Sequence, residues 1–321
     1  MQIQYSPNRV GALPFSAPSL FLADNQNYQL IARAAINALY QELCAYPKPG
    51  LVSLIDSGSH QDMDVSTFLR SLISLRSYFR DITLAGMRNA GFGELRCFGL
   101  KAESRMLKAT KNINTHRGAI FTLGLLAAAA GFLISRSRSL EGHILSHIVR
   151  ERWGNDILLS TPCKPCSHGT LVASQYGVAG AREEAAAGFP HVFNLGLPAL
   201  QKSLLKGVDF HSAIIQSFFS LVAVLPDNNL LFRGGEEGLL CAQVAAQSFL
   251  DEGGVYRQNW QECARHIHHE FVARHLSPGG SADLLAATLF VHRLQVTLRN
   301  GSLTNKITPD TDHTEPFIFA Q

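Results

Sequence analysis

The chain has 321 residues, 46% of them apolar and 17% charged, with a formal net charge of +3. It is long enough for one large domain or two modest ones around a substantial core, and its charge is too small for a surface that coats nucleic acid. Cationic side chains are therefore expected to act locally, on an anionic ligand.

Residues 1–26 carry Pro, Ser and Asn but no basic start leading into an apolar stretch, so no secretory signal is expected. They are predicted to be poorly ordered, as is the polar tail 301–321. Between them the pattern is helical. Tyr28 to Ala45 has Leu30, Ile31, Ala34, Ala35, Ala38 and Leu39 near the i, i+3, i+4 repeat, and then meets Pro47 and Pro49. Ser66 to Phe79 repeats the pattern, with Ser66 as its expected N-cap. Glu94 to Lys111 is amphipathic, whereas Gly118 to Ile134 is apolar all round, as a helix at the centre of a bundle should be. Its apolar run, about sixteen residues from Ala119, falls short of the roughly 20 that a membrane span needs. Further helices are predicted at Leu140–Glu151, Leu197–Lys206, Phe210–Leu225, Gly238–Asp251, Trp260–His275 and Ser281–Asn300. Hairpin signals are almost absent. The expectation is one all-α domain over 27–300, with its active site at loop–helix junctions.

Six scattered cysteines without a secretion signal point to reduced thiols in a cytoplasmic protein. Cys163, Cys166 and His168 invite a metal or redox role, but no second Cys pair answers them at zinc-site spacing. His266, His268 and His269 near Cys263 fit an ordinary exposed helix as well as a metal site.

Four polar clusters interrupt the apolar runs. The first joins Lys48 and Gly50 to Asp56, Ser57, His60, Asp62 and Asp64; the two later aspartates are placed to cap the next helix or to hold Mg²⁺ through water. The second, Asn114-Thr115-His116-Arg117-Gly118, opens the most apolar helix, where free amides and basic donors suit a phosphate. Glu103 on the preceding helix is expected to face the same space. Arg182, beside Glu183 and Glu184, alone reads as a solvated helix face. The third cluster runs from Asp227 and Asn229 to Arg233, Gly234, Gly235 and Glu236, with oxygen ligands for a hard cation and an Arg apt for phosphate. The fourth, Ser277 to Asp283 with Gly279, Gly280 and Ser281, is a turn opening a helix; it lacks the Lys of a P-loop. Together they suggest chemistry on a polyphosphate with Mg²⁺ bridging carboxylates and phosphate oxygens.

Pro47-Lys48-Pro49-Gly50-Leu51-Val52, Asn114 to Phe121, Gly180 to Ala185 with Gly188-Phe189-Pro190, and Ser277 to Leu285, in that order, resemble the triphosphoribosyl-dephospho-CoA synthase family from about Ile31 to Leu294. The resemblance implies a transferase that joins ATP to 3′-dephospho-CoA. The 2′-hydroxyl of the CoA ribose displaces adenine from C1 of the ATP ribose, and the product is the precursor of the prosthetic group on an acyl-carrier subunit. Glu183 favours the malonate decarboxylase branch, while Arg233-Gly234-Gly235 and Ser281 look more like the citrate lyase branch. Asp227-Asn228-Asn229 departs from the Asp-Thr-Asn of the family. The carrier subunit and its prosthetic-group transferase are expected as indirect partners, with no nucleic acid and no membrane.

Breaking the N-glycosidic bond passes through an oxocarbenium-like state that carboxylates stabilise, with an acid for adenine and a base for the hydroxyl. Asp62, Asp64, Asp227 and Glu236 are candidates for charge stabilisation, the first three also for Mg²⁺, and His60 or His116 for the acid or base. Lys48, Arg117, Arg182 and Arg233 are candidates for holding phosphates. Gly50, Ser57, Asn114, Thr115, Gly118, Asn229, Gly234, Gly235, Ser277, Gly279, Gly280 and Ser281 complete that binding set. A non-catalytic helical nucleotide-binding protein and a Mg²⁺-dependent nucleotide hydrolase are the alternatives.

Overall fold

The computed structural model describes residues 19–141, 143–160, 172 and 175–299. The Cys163, Cys166 and His168 loop lies outside the described residues. Eleven α-helices are described: α1 Ser19–Cys44, α2 Val65–Met87, α3 Phe92–Ala109, α4 Arg117–Ile134, α5 Ile144–Leu159, α6 Ala181–Ala186, α7 Leu197–Leu205, α8 Phe210–Val222, α9 Asn228–Asp251, α10 Trp260–Ala273 and α11 Gly279–Arg299. A π-helical turn, Val192–Gly196, runs into α7, and a 3₁₀ turn, Gly254–Tyr256, follows α9. There is no β-strand among the described residues.

Helix α4 is apolar on every face because every face is covered. It packs on α1, α2, α3, α5 and α11, and Leu123, Leu126, Ala127 to Ala130 and Leu133 are fully buried. By length and composition α4 could cross a membrane, but in the structure it is a core helix. The second half of the chain, from the π-turn through α10, packs about α8, and α11 returns to lie against α1, α4 and α8. The two halves thus share one core.

The seam between α2 and α4 is unusually close. A Cβ on Gly86 would lie 2.0 Å from the Ala128 carbonyl oxygen, and one on Gly131 would lie 2.3 Å from that of Thr83. Tyr78, wholly buried between these helices, donates its hydroxyl to Ile120 O at 2.8 Å. Glycine inside a helix costs roughly 1 kcal/mol relative to alanine; here it is repaid by dispersion contacts across two backbones that nearly touch.

Helix ends differ from the predicted ones in instructive ways. The N-cap of α2 is Asp64, not Ser66: its extended backbone lets Oδ1 accept from Thr67 N at 2.8 Å and from Thr67 Oγ1 at 2.7 Å. Ser66 is already helical and accepts instead from Arg70. Helix α9 starts at Asn228, a turn or more before the predicted Gly238, and consists of two helical segments that meet at a kink where Gly235 (φ 63°) leaves the helical conformation. Helix α5 lies a turn later than the pattern placed it.

Gly86→Val forces a branched side chain into the Ala128 backbone, so it should lower the unfolding free energy in urea by about 3 kcal/mol or more. A variant as stable as wild type would show that the seam has room to open.

Candidate active site

The loop after α1 turns on a cis Tyr46–Pro47 bond and brings Lys48 back against the helix it has just left. Lys48 Nζ contacts Glu42 Oε1 at 2.5 Å and donates to Val52 O at 3.3 Å; both charged residues are buried. A buried ion pair is tolerable only when both partners are satisfied in this way, so the Lys48 charge is matched within the chain. Gly50 (φ 71°) lies so near Leu276 O that a Cβ would sit 2.1 Å from it. Ser59 Oγ donates to that same carbonyl at 2.5 Å. Ser57 accepts at its carbonyl from His60 N. His268 joins the Lys48 carbonyl (3.2 Å) to Asp56 Oδ2 (3.3 Å), and His266 pairs with Glu270.

At the start of α4, adjacent residues serve opposite sides. His116 is buried, with Nδ1 2.6 Å from Ser71 Oγ and Nε2 without a hydrogen-bond partner. Burial, and then the Lys48 charge, pull its pKa down to about 3, so the ring is neutral. Arg117 points the other way and grips Glu103 through Nη2 at 2.7 Å and Nε at 2.8 Å. Asn114 Oδ1 accepts from Arg117 N at 3.2 Å, and the buried Thr115 hydroxyl has no partner. Gly118 faces Asp283, whose Oδ2 would be 1.8 Å from any Cβ there.

Asp227 is the N-cap of α9 and also binds the start of α11. Its Oδ1 accepts from Asn229 N at 2.9 Å; its Oδ2 accepts from Ser281 N at 2.7 Å and Ser281 Oγ at 3.0 Å. Gly280 lies on this carboxylate, and Gly279 lies on the Asn229 amide. One turn into α11, burial holds the Asp283 carboxyl well above the usual carboxylate range. Glu42 and Asp227 add like-charge repulsion, only partly offset by a hydrogen bond from the Ala119 backbone. Burial also raises Asp227, against the hydrogen bonds it accepts.

A second group adjoins through the 276–280 turn. Arg233 donates to Ser59 O (3.3 Å), to His275 O (3.1 Å) and to His60 Nδ1 (3.1 Å). With Nδ1 accepting, His60 Nε2–H is assigned as donor to Ser277 Oγ, 2.9 Å away. Burial first, and the Arg233 charge second, lower its pKa to about 4, outweighing Asp62, which lies 3.7 Å away and is 63% exposed. Gly234 lies under Leu276, and Glu236 is exposed beyond the kink region.

The candidate residues thus sort into places. Lys48, His116, Gly118, Asp227, Asn229, Gly279, Gly280 and Ser281 gather where the α4, α9 and α11 N-termini converge. His60, Arg233 and Ser277 flank them, while Asp64 and Glu236 stand apart. The three Mg²⁺ candidates lie in different settings: Asp64 caps α2, Asp62 sits beside His60, and Asp227 accepts from residues 229 and 281. No group of three or more His, Cys, Asp or Glu side chains suited to a metal occurs among the described residues. Glu42 and Ser71 belong to the site but are not singled out by spacing, and Asp283, at the end of the fourth cluster, had no role assigned to it. One signal was available for Glu42, an acid in the last turn of a helix, where the macrodipole disfavours it unless a cation answers.

Arg117 and Arg182 meet elsewhere, around a cavity of about 840 Å³ between α2, α3, α4 and the end of α5. Its wall is apolar, with Phe92, Leu95, Phe121 and Leu125, and its polar edge includes Arg96, Lys108 and Lys111. The Arg182-Glu183-Glu184 run is tied down locally. Arg182 donates to the Ile157 and Leu158 carbonyls at the end of α5, Glu183 accepts from Gly180 N, and Glu184 pairs with His191 at 2.7 Å. That pairing raises the His191 pKa.

A histidine held neutral by the fold destabilises it in acid. Unfolded His60 takes a proton near pH 6.5 and the folded residue only near pH 4, so its contribution is complete above about 6.5 and is lost as pH falls towards about 4. His116 adds to the same trend. His60→Gln should therefore show a shallower fall of urea-unfolding free energy across that window than wild type. An unchanged slope would mean that His60 already titrates normally.

The model of the CitG family, described as ATP:dephospho-CoA triphosphoribosyl transferase, matches residues 28–302. A probable 2-(5''-triphosphoribosyl)-3'-dephosphocoenzyme-A synthase of Acinetobacter calcoaceticus is 40% identical over 281 residues, 88% of this chain and 96% of that protein. Proteins of the same description from Vibrio cholerae serotype O1 (strain M66-2) and Salmonella gallinarum are 35% and 38% identical, over 83% and 84% of this chain and 88% and 91% of theirs. No solved structure matches. The first turns of α4 and α11 carry two of the four motifs on which the resemblance rested, the 47–52 loop lies beside them and the Gly180 to Ala185 run lies at the end of α5. With these matches the chain belongs to the triphosphoribosyl-dephospho-CoA synthase family of transferases.

Proposed function

We propose that this protein transfers the triphosphoribosyl group of ATP to the 2′-hydroxyl of 3′-dephospho-CoA. The C1–N9 bond of ATP breaks, a bond from C1 to the acceptor oxygen forms, and the hydroxyl proton ends on adenine. The observation that carries this reading is the Asp283 carboxyl. Burial first, and then Glu42 and Asp227, raise its pKa well above the usual carboxylate range, and it lies beside the first turn of α4 against a glycine that leaves space for it.

Leaving adenine needs a proton at its ring nitrogen, and a carboxyl whose hold on its proton is strengthened by burial is suited to supply it. The carboxylate formed is then the base that takes the proton from the attacking hydroxyl. One group gives and recovers the proton, and no further acid or base is required. His116, neutral and with Nε2 lacking a protein partner, is the positioning residue for a substrate hydroxyl. Arg233, which borders the 276–280 turn, is assigned to the ATP triphosphate, since a guanidinium favours phosphate oxygens; the amides of residues 279 and 281 are already taken up by Ser277 O and Asp227. Mg²⁺ enters with ATP, as part of the MgATP substrate, held by its phosphate oxygens. The product then serves, in the cytoplasm, as precursor of the prosthetic group of a malonate decarboxylase or citrate lyase acyl-carrier subunit, attached by a separate transferase.

Purified protein with MgATP and 3′-dephospho-CoA should release free adenine only when both are present, with a product of the summed mass less adenine. Phosphate or diphosphate from ATP alone would instead indicate a hydrolase, and ATP binding without adenine a non-catalytic binder. Asp283→Asn keeps the shape and removes the titrating proton, so kcat should fall about 10²- to 10⁴-fold while ATP still binds. A kcat within threefold of wild type would remove Asp283 from the mechanism.

A further inference from the structure

The cavity between α2, α3 and α4 is separate from the Asp227–Asp283 centre yet touches it through one turn of helix. Arg117 lines the cavity, and its neighbour Gly118 abuts Asp283. Five cationic side chains, Arg96, Lys108, Lys111, Arg117 and Arg182, border it against a single acid, Glu103. Behind them the wall is hydrocarbon. At about 840 Å³ it falls in the range of small-molecule sites, about 300–1,000 Å³.

Deepening the transferase reading, and resting on it, we infer that this cavity binds the acceptor: the cationic edge takes the diphosphate of 3′-dephospho-CoA, and the apolar wall takes its uncharged pantetheine arm. Charge and shape decide between the two substrates. Both substrates have an adenosine on one side of their phosphates, but ATP ends in its triphosphate and has no neutral arm beyond it, so it covers less of the apolar wall. The acceptor has two phosphates and then a long, weakly polar arm, the order in which cations and hydrocarbon occur here. With the arm in the cavity and the diphosphate near Arg117, the ribose comes next, at the first turn of α4. That is where Asp283 and the unpartnered His116 Nε2 lie. Arg117 is already pinned by Glu103, which sets its guanidinium in place for the ligand and fixes the depth to which a phosphate can enter.

Two variants test the assignment without touching the proposed chemistry. Lys108→Glu with Lys111→Glu reverses two exposed charges. Gly99→Leu fills the cavity from α3, where a Cβ has only Tyr78 Oη near it, at 3.9 Å, and the helix gains propensity. Each should raise the KM for dephospho-CoA at least about tenfold, the loss of roughly one charge-assisted contact. The KM for ATP should stay within about twofold, with thermal unfolding confirming that both variants fold. A rise in the ATP KM with that of dephospho-CoA unchanged, or no change in either, would overturn the assignment. Calorimetric titration of dephospho-CoA without ATP separates this from the transferase reading, because it needs no turnover. Binding to wild type that both variants weaken supports the site even if adenine is never released. Equal binding by all three, or none by wild type, refutes it.

Discussion

The buried Asp227 carboxylate is the constraint on which the site depends. It lies 1% exposed and accepts hydrogen bonds from residues 229 and 281, so it closes the N-termini of α9 and α11 with one side chain. Helix N-termini leave amides that must be satisfied or hydrated, and an orphaned buried amide costs a few kcal/mol. Sharing one acceptor fixes the two helices relative to each other more firmly than separate caps would. It also sets the turn between Ser277 and Ser281 against the loop that holds Gly50 and Ser59. Asp283 follows within the first turn, and its position against Gly118 is inherited from this cap.

The same burial governs the electrostatics. Burial raises the Asp283 pKa, and carboxylates nearby raise it further: Glu42 from the end of α1, and then Asp227, the residue that holds the helices together. Burial, and then Lys48 paired to Glu42, lower the basicity of His116. The site therefore shifts a carboxyl up and an imidazole down within one network of charges, each towards its uncharged form and away from the value of an isolated side chain.

The all-helical class was legible because apolar periodicity is a local property, clearest in α2 and in the uniformly apolar α4. Helix ends were less so. The Gly234-Gly235 pair reads as a loop, and Gly235 is indeed non-helical, but it makes only a kink between two helical segments of α9. Ser66 and Asp64 are both good caps by type, and only the backbone angles choose between them. For the site, the polar clusters at helix starts were visible, and those at α4, α9 and α11 do converge. Their partners were not visible, since Asp227 with Ser281 and Ser59 with Leu276 are contacts across 54 and 217 residues. Nor could spacing tell that His116 and Arg117, adjacent in sequence, serve opposite sides of α4. His116 is the N-cap of α4, with backbone angles outside the helical range, so its side chain does not follow the helical rotation that Arg117 begins, and packing decides which side becomes the centre and which the cavity.

That divergence bears on how a hydroxyl can be chosen over water. In the proposed reaction the electrophile is a sugar carbon that water would also attack, and water is far more abundant than any acceptor. Selectivity then requires that the protonated acid become useful only when the acceptor is seated, with solvent displaced from its approach. An acceptor held on one side of the first turn of α4 and a donor held on the other meet at Gly118. That glycine has no side chain to intervene, and Asp283 already fills the space behind it. A larger residue there would displace the acid from the backbone it rests against, so the helix start both separates two anionic substrates and sets where they can touch.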